Sequence, residues 1–351
     1  MDFNRYSDTF QHKALDAGFS VAEVQEMLTY AKRLVEQGIP IIYDQEHLSL
    51  LLGYDYFYLL TVSNSQYSHY KYYQIPKKNG GLRTIEEPFP ALKEVQTWIL
   101  KEILEPASKQ YVSPVAKAFM PGKSLRENAR FHRNKKYVVV LDIKDFFGSI
   151  KYGSVYGLFK KLGYNKSVST LLANLCVLNF SLPQGAPTSP MLSNLVFKEL
   201  DDRIFSYCRS RKIMYTRYAD DMAFSSDSMN VTHLISYVRM VVGNQGFRIN
   251  DDKTNVMGRG ASQRVTGIVV NEKLQVSKAY RDKVRQEVYY TIKYGPKEHM
   301  SRITLPVWVK TSKLYIKHLL GKVNHIIQIN PKDAEFVRYA SLLNDYLHNR
   351  V

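Results

Sequence analysis

The sequence predicts an α+β fold built on an antiparallel sheet, with helical regions at both ends of the chain. Three observations carry that reading. Short β-branched and aromatic runs interleave with amphipathic helical runs instead of forming separate blocks. Tight turn signals join pairs of the short runs, which makes them hairpins and not parallel crossovers. Residues 1 to about 70, and everything after about Lys278, read as helical, so the strands gather in the middle.

In chain order, VAEVQEMLTYAKRLVEQG has helical periodicity and closes on Gly38 as its C-cap. EHLSLLLGYDYFYLLTV follows as an apolar, aromatic run. YKYYQIPKKNGGLRTIEEP is a pair of strands around the turn signal KKNGG, a hairpin with a basic tip. ALKEVQTWILKEILEP is an amphipathic helix that Pro106 stops. KKYVVVLDIKDFF is a buried central strand whose end carries acids. A helical stretch spans about 153–179, and then a Pro/Gly loop, SLPQGAPTSP, leads into a helix. Ser189 is its expected N-cap and Pro190 its first residue, with Leu192, Leu195, Val196, Leu200 and Ile204 on one apolar stripe. The strands MYTRY and MAFSS flank the acids of RYADDMAF. A helix near 231–246, strands around GFRIN and QRVTGIVVN, and a basic helical end complete the chain.

Composition narrows the partner. The 351 residues are enough for two or three domains or one multi-lobed enzyme, and 45% hydrophobic content supports a sizeable core. Lys and Arg outnumber Asp and Glu by 49 to 32, and the net charge of +17 suits a polyanion, either nucleic acid or an anionic membrane surface. No apolar run reaches membrane-spanning length, MDFNRYSDTF lacks a signal-peptide layout, and the basic residues form no clean amphipathic face. Cys176 and Cys208 match no metal spacing and read as buried thiols in a reducing compartment. Nucleic acid in the cytoplasm is therefore the expected partner, without a membrane.

The acids carry the chemistry. LDIKDFF puts Asp142 at a strand end, and YADD puts Asp220 and Asp221 at a hairpin tip. Neighbouring strands would bring the three carboxylates together, where they raise each other's pKa values unless a divalent cation neutralises them. Mg²⁺ accepts few carboxylates together with water and phosphate oxygens. Two such ions about 4 Å apart activate a hydroxyl and stabilise departing pyrophosphate. Either motif alone is weak, since paired Asp in a turn is commonly solvated and an Asp after a strand often caps a helix.

Several motifs in order change that balance. YADD between two strands resembles the active-site hairpin of reverse transcriptases; LDIKDFF resembles their first palm motif, and LPQGAPTSPMLSN their substrate-side loop and helix. GFRINDDKT is similar to the lysine-bearing fourth motif and RVTGIVVN to the region entering the thumb, so the likeness covers roughly 70–275. Asn128, Ala129 and His132 in ENARFHRN, with Val265, Thr266 and Gly267 in RVTG, resemble signatures of bacterial retron reverse transcriptases, as does PQGAPTSP. One departure is Gly148, where those enzymes commonly have Pro after the paired Phe.

The resemblance implies a right-hand polymerase: a helical N-terminal region at 1–70, fingers at 71–137, palm at 138–275 with a fingers insertion at about 153–188, and thumb at 276–351. Asp142, Asp220 and Asp221 become catalytic metal ligands for two Mg²⁺ ions, replaceable by Mn²⁺, with the Ile143 carbonyl as a further ligand. Phe147 matches the steric gate that excludes a ribose 2′-hydroxyl, while its neighbour Phe146 packs inward. Gln184 and Gly185 line the nucleotide pocket; Arg83, helped by Lys77 or Lys78, clamps the triphosphate. Lys253 either protonates the leaving pyrophosphate or belongs to a charged turn. Asn128 and His132, four residues apart, bind RNA or brace the first palm strand. Val265, Thr266 and Gly267 sit on a strand that RNA approaches, and Lys310, Lys313 and Lys317 track its phosphates from the thumb.

A retron-type enzyme implies particular partners: dNTPs, a cognate structured non-coding RNA, and the branched multicopy single-stranded DNA (msDNA) primed from a guanosine 2′-hydroxyl. It also implies an anti-phage setting with a separate effector protein, and a higher-order assembly is compatible with it. The alternatives are a group II intron or diversity-generating reverse transcriptase, or an RNA-binding scaffold that restrains an effector. The intact acid triad separates enzyme from scaffold.

Overall fold

The computed structural model describes residues 3–77 and 80–348. They form two compact units: Met1–Met120 with Ile143–Ser206 and Ser236–Asn250, and Pro121–Asp142 with Tyr207–Ile235 and Asp251–Val351.

The first unit opens with helices Phe3–Asp16, Val21–Glu36, Gln45–Leu52 and Tyr56–Asn64. Ser20 and Glu23 form a reciprocal capping box on the second of these, and its C-cap is Gln37, with Gly38 at φ 71° one residue beyond. Gly53, also left-handed, divides the aromatic run into two helices. Strands β1 (Tyr70–Pro76) and β2 (Leu82–Pro88) pair antiparallel as the predicted hairpin. Pro106 does not stop the next helix. Pro90–Trp98 continues through a π-helical segment, Ile99–Leu104, into Glu105–Tyr111. Pro106 falls in the first turn of that last segment, where its missing N–H costs little. The helix after the Pro/Gly loop is also two helices, Ser189–Val196 and Lys198–Ser210. Its N-cap is Thr188 and not Ser189, whose hydroxyl instead donates to the Pro183 carbonyl at 2.7 Å.

The second unit is organised on a four-stranded sheet. Strand β3 (Tyr137–Ile143) lies between β5 (Asp221–Ser226) and β6 (Ile249–Gly258), with β4 (Met214–Tyr218) on the outer side of β5. Strands β4 and β3 both run antiparallel to β5. The near-continuous apolar run of β3 fits its position, since Val138, Val139, Leu141 and Ile143 are all buried. A short ribbon, β7 (Arg264–Val265) and β8 (Ile268–Val269), follows. Helices Lys278–Tyr294, Pro296–Ser301, Ser312–Ile329 and Ala334–Leu347 complete the unit. Val138 and Ala223 from the sheet share one core with Val288, Leu319, Val323 and Phe336 from these helices. Arg281 pairs with Asp333 at 2.9 Å, and Arg285 with Glu335, tying the first of the helices to the last. Among the described residues, no helix is long and apolar enough to cross a membrane.

Candidate active site

Strand register assembles the acids. Asp142 stands directly opposite Asp221 on the β3–β5 ladder, so both carboxylates leave the same face. Tyr218 pairs with Asp221 across β4–β5, which leaves Ala219 and Asp220 as a two-residue turn. Ala219 adopts φ 56°, the left-handed conformation such a turn requires. Arg217, fully buried, donates Nη1 to the Ala219 carbonyl at 3.0 Å and holds the turn from beneath. One oxygen of each of Asp142, Asp220 and Asp221 lies within 4.8 Å of the other two.

The electrostatics are those of a site short of positive charge. Burial, followed by repulsion from Asp142, raises the Asp220 pKa. Burial, then Asp220 and Asp142, pushes Asp221 up to about 6. Lys253 lies within β6, which rules out the charged-turn reading, and donates Nζ to Asp142 Oδ2 at 2.8 Å. That hydrogen bond is the main reason its ammonium is held above the usual lysine range. One ammonium against three carboxylates leaves a cluster of hard oxygen donors, the ligand set that divalent cations take. Ile143, the last residue of β3, is buried beside Asp142.

A second cluster holds Asn128 and His132, expected either to bind RNA or to brace the first palm strand, and both are buried. His132 is completely buried, with one ring nitrogen 2.8 Å from Ser225 Oγ and the other 2.8 Å from Thr216 Oγ1. Thr216 in turn donates to Asn128 Oδ1 at 2.7 Å, and Asn128 reaches Thr266 at 3.4 Å. Thr216 lies on β4 and Ser225 on β5, so the imidazole clips together the two strands that carry the YADD turn. Burial drives the His132 pKa down to about 3, so the ring is neutral. Thr216, Ser225 and Arg217 are positioning residues that sequence reasoning missed; the polar atoms in otherwise apolar strands were the available signal. Val265 is also buried, while Thr266 (φ 47°) and Gly267 (φ 84°) form the β7–β8 turn and not a strand. Lys310, Lys313 and Lys317 are exposed, the last two one turn apart on Ser312–Ile329.

The other predicted residues belong to the first unit. Arg83 is exposed on β2 opposite Ile75, Lys77 is exposed at the end of β1, and Lys78 lies outside the described residues. The Gln184–Gly185 loop docks on β2: Gln184 N–H donates to Glu86 Oε2 at 3.1 Å, and its carbonyl accepts the Glu86 N–H at 2.9 Å. Gly185 sits at φ 148°, and a Cβ there would come within 2.5 Å of the Glu86 carbonyl oxygen. Only glycine fits that approach. Phe146 is buried against Phe197, with ring centroids 5.0 Å apart, whereas Phe147 stays half-exposed. At Gly148 a Cβ would fall 2.5 Å from an oxygen of the Asp145 carboxylate.

Comparison with known proteins agrees with the motifs. The profile of the family "Reverse transcriptase (RNA-dependent DNA polymerase)" matches residues 75–286, and the chain belongs to that family. It is an RNA-directed DNA polymerase of α+β right-hand fold, with an RNA template and nucleotide substrates. The retron Mx65 reverse transcriptase of Myxococcus xanthus is 31% identical over 335 residues, covering 89% of this chain and 74% of that one. The retron Ec86 enzyme of Escherichia coli is 33% identical over 262 residues, covering 74% and 81%. Within the family, the chain belongs with the bacterial retron reverse transcriptases. Among solved structures, a Candida albicans telomerase is loosely similar, with a TM-score of 0.45 and 11% identity over 79% of this chain and 59% of that one.

Proposed function

We propose that this enzyme copies its own structured non-coding RNA from a guanosine 2′-hydroxyl in that RNA, making a branched RNA–DNA hybrid, msDNA. The observation that carries the reading is the convergence of Asp142, Asp220 and Asp221 on one end of a sheet beside Lys253. Two Mg²⁺ ions, for which Mn²⁺ substitutes, would supply the charge that activates the attacking hydroxyl and stabilises the departing pyrophosphate. Asp142, Asp220, Asp221 and the Ile143 carbonyl would hold them. Lys253 holds a proton at Nζ, positioned for the pyrophosphate oxygen as its bond to the α-phosphorus breaks.

Arg83 and Lys77 hold the triphosphate, Gln184 and Gly185 line the nucleotide pocket, and Phe147 occupies the space of a ribose 2′-hydroxyl. Asn128 and His132 keep the YADD hairpin in register. The β7–β8 turn at Thr266 and Gly267, anchored by Val265, faces RNA together with Lys310, Lys313 and Lys317. In this reading residues 71–137 are fingers, 138–275 palm and 276–351 thumb, following the helical region at 1–70. The setting is cytoplasmic anti-phage defence, in which enzyme and hybrid restrain a separate effector, in a higher-order assembly.

The test is to co-express the protein with its neighbouring non-coding RNA and treat the bound nucleic acid with RNase and debranching enzyme. A short DNA released from RNA by debranching supports the proposal. DNA carrying no branch would point to priming elsewhere, and RNA alone would indicate a scaffold.

A further inference from the structure

Within the second unit, helices Lys278–Tyr294, Pro296–Ser301 and Ser312–Ile329 contribute to a cavity of about 690 Å³, the size of a small-ligand site. Its lining includes charge that helix packing alone does not need. Glu287 is only 9% exposed, and its Oε2 accepts Lys322 Nζ at 2.7 Å. Such a pair is poor value as a stabilising device, because desolvating both charges offsets most of their attraction.

Aromatic surface stands beside it. Tyr290 and Tyr294 stack with centroids 5.9 Å apart and 22° between their planes, and Tyr294 is 45% exposed. The Arg302 guanidinium lies 5.6 Å from the Tyr294 centroid. Lys283, also on the lining, forms no ion pair among the described residues. His299 is fixed through Nδ1 to the Tyr315 hydroxyl at 2.7 Å, so that wall is rigid.

We propose that this cavity binds one unpaired guanine nucleotide. The guanine edge carries the O6 acceptor next to two donors, N1–H and the 2-amino group. Lys322 donates to O6, and Glu287 accepts from both donors. Adenine and the pyrimidines lack two adjacent donors, so they leave the buried carboxylate short of partners. Tyr294, held between Tyr290 and the Arg302 guanidinium that pairs with Glu298, borders the base with its exposed edge, and Lys283 faces the phosphate. The site is separate from the carboxylate triad. The proposed RNA partner bears only on where the guanine comes from: an unpaired residue of bound RNA or a free mononucleotide.

The experiment uses the full chain carrying Asp220→Asn in EDTA, which keeps nucleotide out of the polymerase site. GMP, IMP, AMP and inorganic phosphate are titrated by calorimetry. GMP is expected to bind at least tenfold more tightly than IMP, which lacks the 2-amino group, or AMP. Glu287→Gln and the exposed-site variant Tyr294→Ala should each weaken GMP at least tenfold while their melting curves show a folded protein. Equal binding of phosphate and GMP, or GMP binding unchanged in both variants, overturns the proposal. A hairpin RNA with one unpaired guanosine is then competed against GMP. Competition lost when that residue is inosine marks RNA as the source; RNA that leaves bound GMP in place marks the free nucleotide. Primer extension by the wild-type chain is run in parallel. Extension without any GMP binding removes the cavity proposal and leaves the polymerase reading standing.

Discussion

Lys253 donates its Nζ to Asp142 Oδ2 at 2.8 Å, joining a lysine side chain that is 52% exposed to a carboxylate that is 6% exposed. The acid is buried at the end of β3, while the lysine side chain is half-exposed. In the proposed reading Asp142, Asp220 and Asp221 would hold the divalent cation and Lys253 would be the proton donor to pyrophosphate. Lys253→Met is therefore expected to slow single-turnover dNTP incorporation by about 10²-fold or more, the usual contribution of a positioned proton donor. Apparent dNTP affinity should change far less. An unchanged rate would return Lys253 to a purely electrostatic role.

Metal-free stability should respond to pH in a way that reports the triad. Asp220 and Asp221 have raised pKa values in the fold, Asp221 to about 6 from an ordinary 3.8. A carboxyl of this kind contributes its stability below the unfolded pKa and loses it as pH rises through the folded one. The window is therefore about pH 4 to 6. Mg²⁺ should raise the melting temperature at pH 8, less at pH 5 and hardly at all at pH 4. Asp220→Asn should stabilise the metal-free protein at pH 8 and blunt the Mg²⁺ response. Calorimetric melts with and without EDTA check both outcomes.

His132 runs the opposite way. Its pKa is lowered from 6.5 to about 3 by burial, so its contribution is present above pH 6.5 and lost as pH falls toward 3. The loss from this one group approaches about 1.4 kcal/mol per pH unit. His132→Ala removes the hydrogen bonds to Thr216 and Ser225 and should cost about 3 kcal/mol at pH 7.5. Urea unfolding of wild type and variant at pH 7.5 and 5 gives the comparison, and the variant's cost should shrink at the lower pH. A variant that keeps full stability and loses only RNA affinity would restore direct RNA contact.

Gly185 offers a steric test. An alanine there puts Cβ 2.5 Å from the backbone oxygen of Glu86 and leaves a non-glycine residue at φ 148°. Gly185→Ala is expected to destabilise the protein by about 2 kcal/mol and to raise the apparent KM for dNTPs as the loop lifts from β2. Steady-state kinetics and a melting curve are enough to measure it.

The acids were legible because they are local: a continuous apolar strand ends in Asp142, and two β-prone runs leave room only for a turn between them. The hairpin of β1 and β2 was legible for the same reason. Contacts distant in sequence were not. His132 meets Thr216 and Ser225 across 84 and 93 residues, so its spacing from Asn128 could not distinguish a brace from an RNA contact. Pro106 misled because the π-helical turn before it moves the helix ladder to a register that tolerates proline. Thr266 misled because a β-branched residue at φ 47° is a poor candidate for a turn, and the motif was read as strand.

We propose that Asp142, Asp220 and Asp221 perform DNA synthesis on an RNA that the rest of the chain binds. The most direct measurement isolates wild type and Asp220→Asn from cells expressing the neighbouring non-coding RNA and quantifies RNA and DNA in each. Equal RNA in both and DNA in the wild type alone is the expected result. DNA at wild-type levels in Asp220→Asn would contradict it.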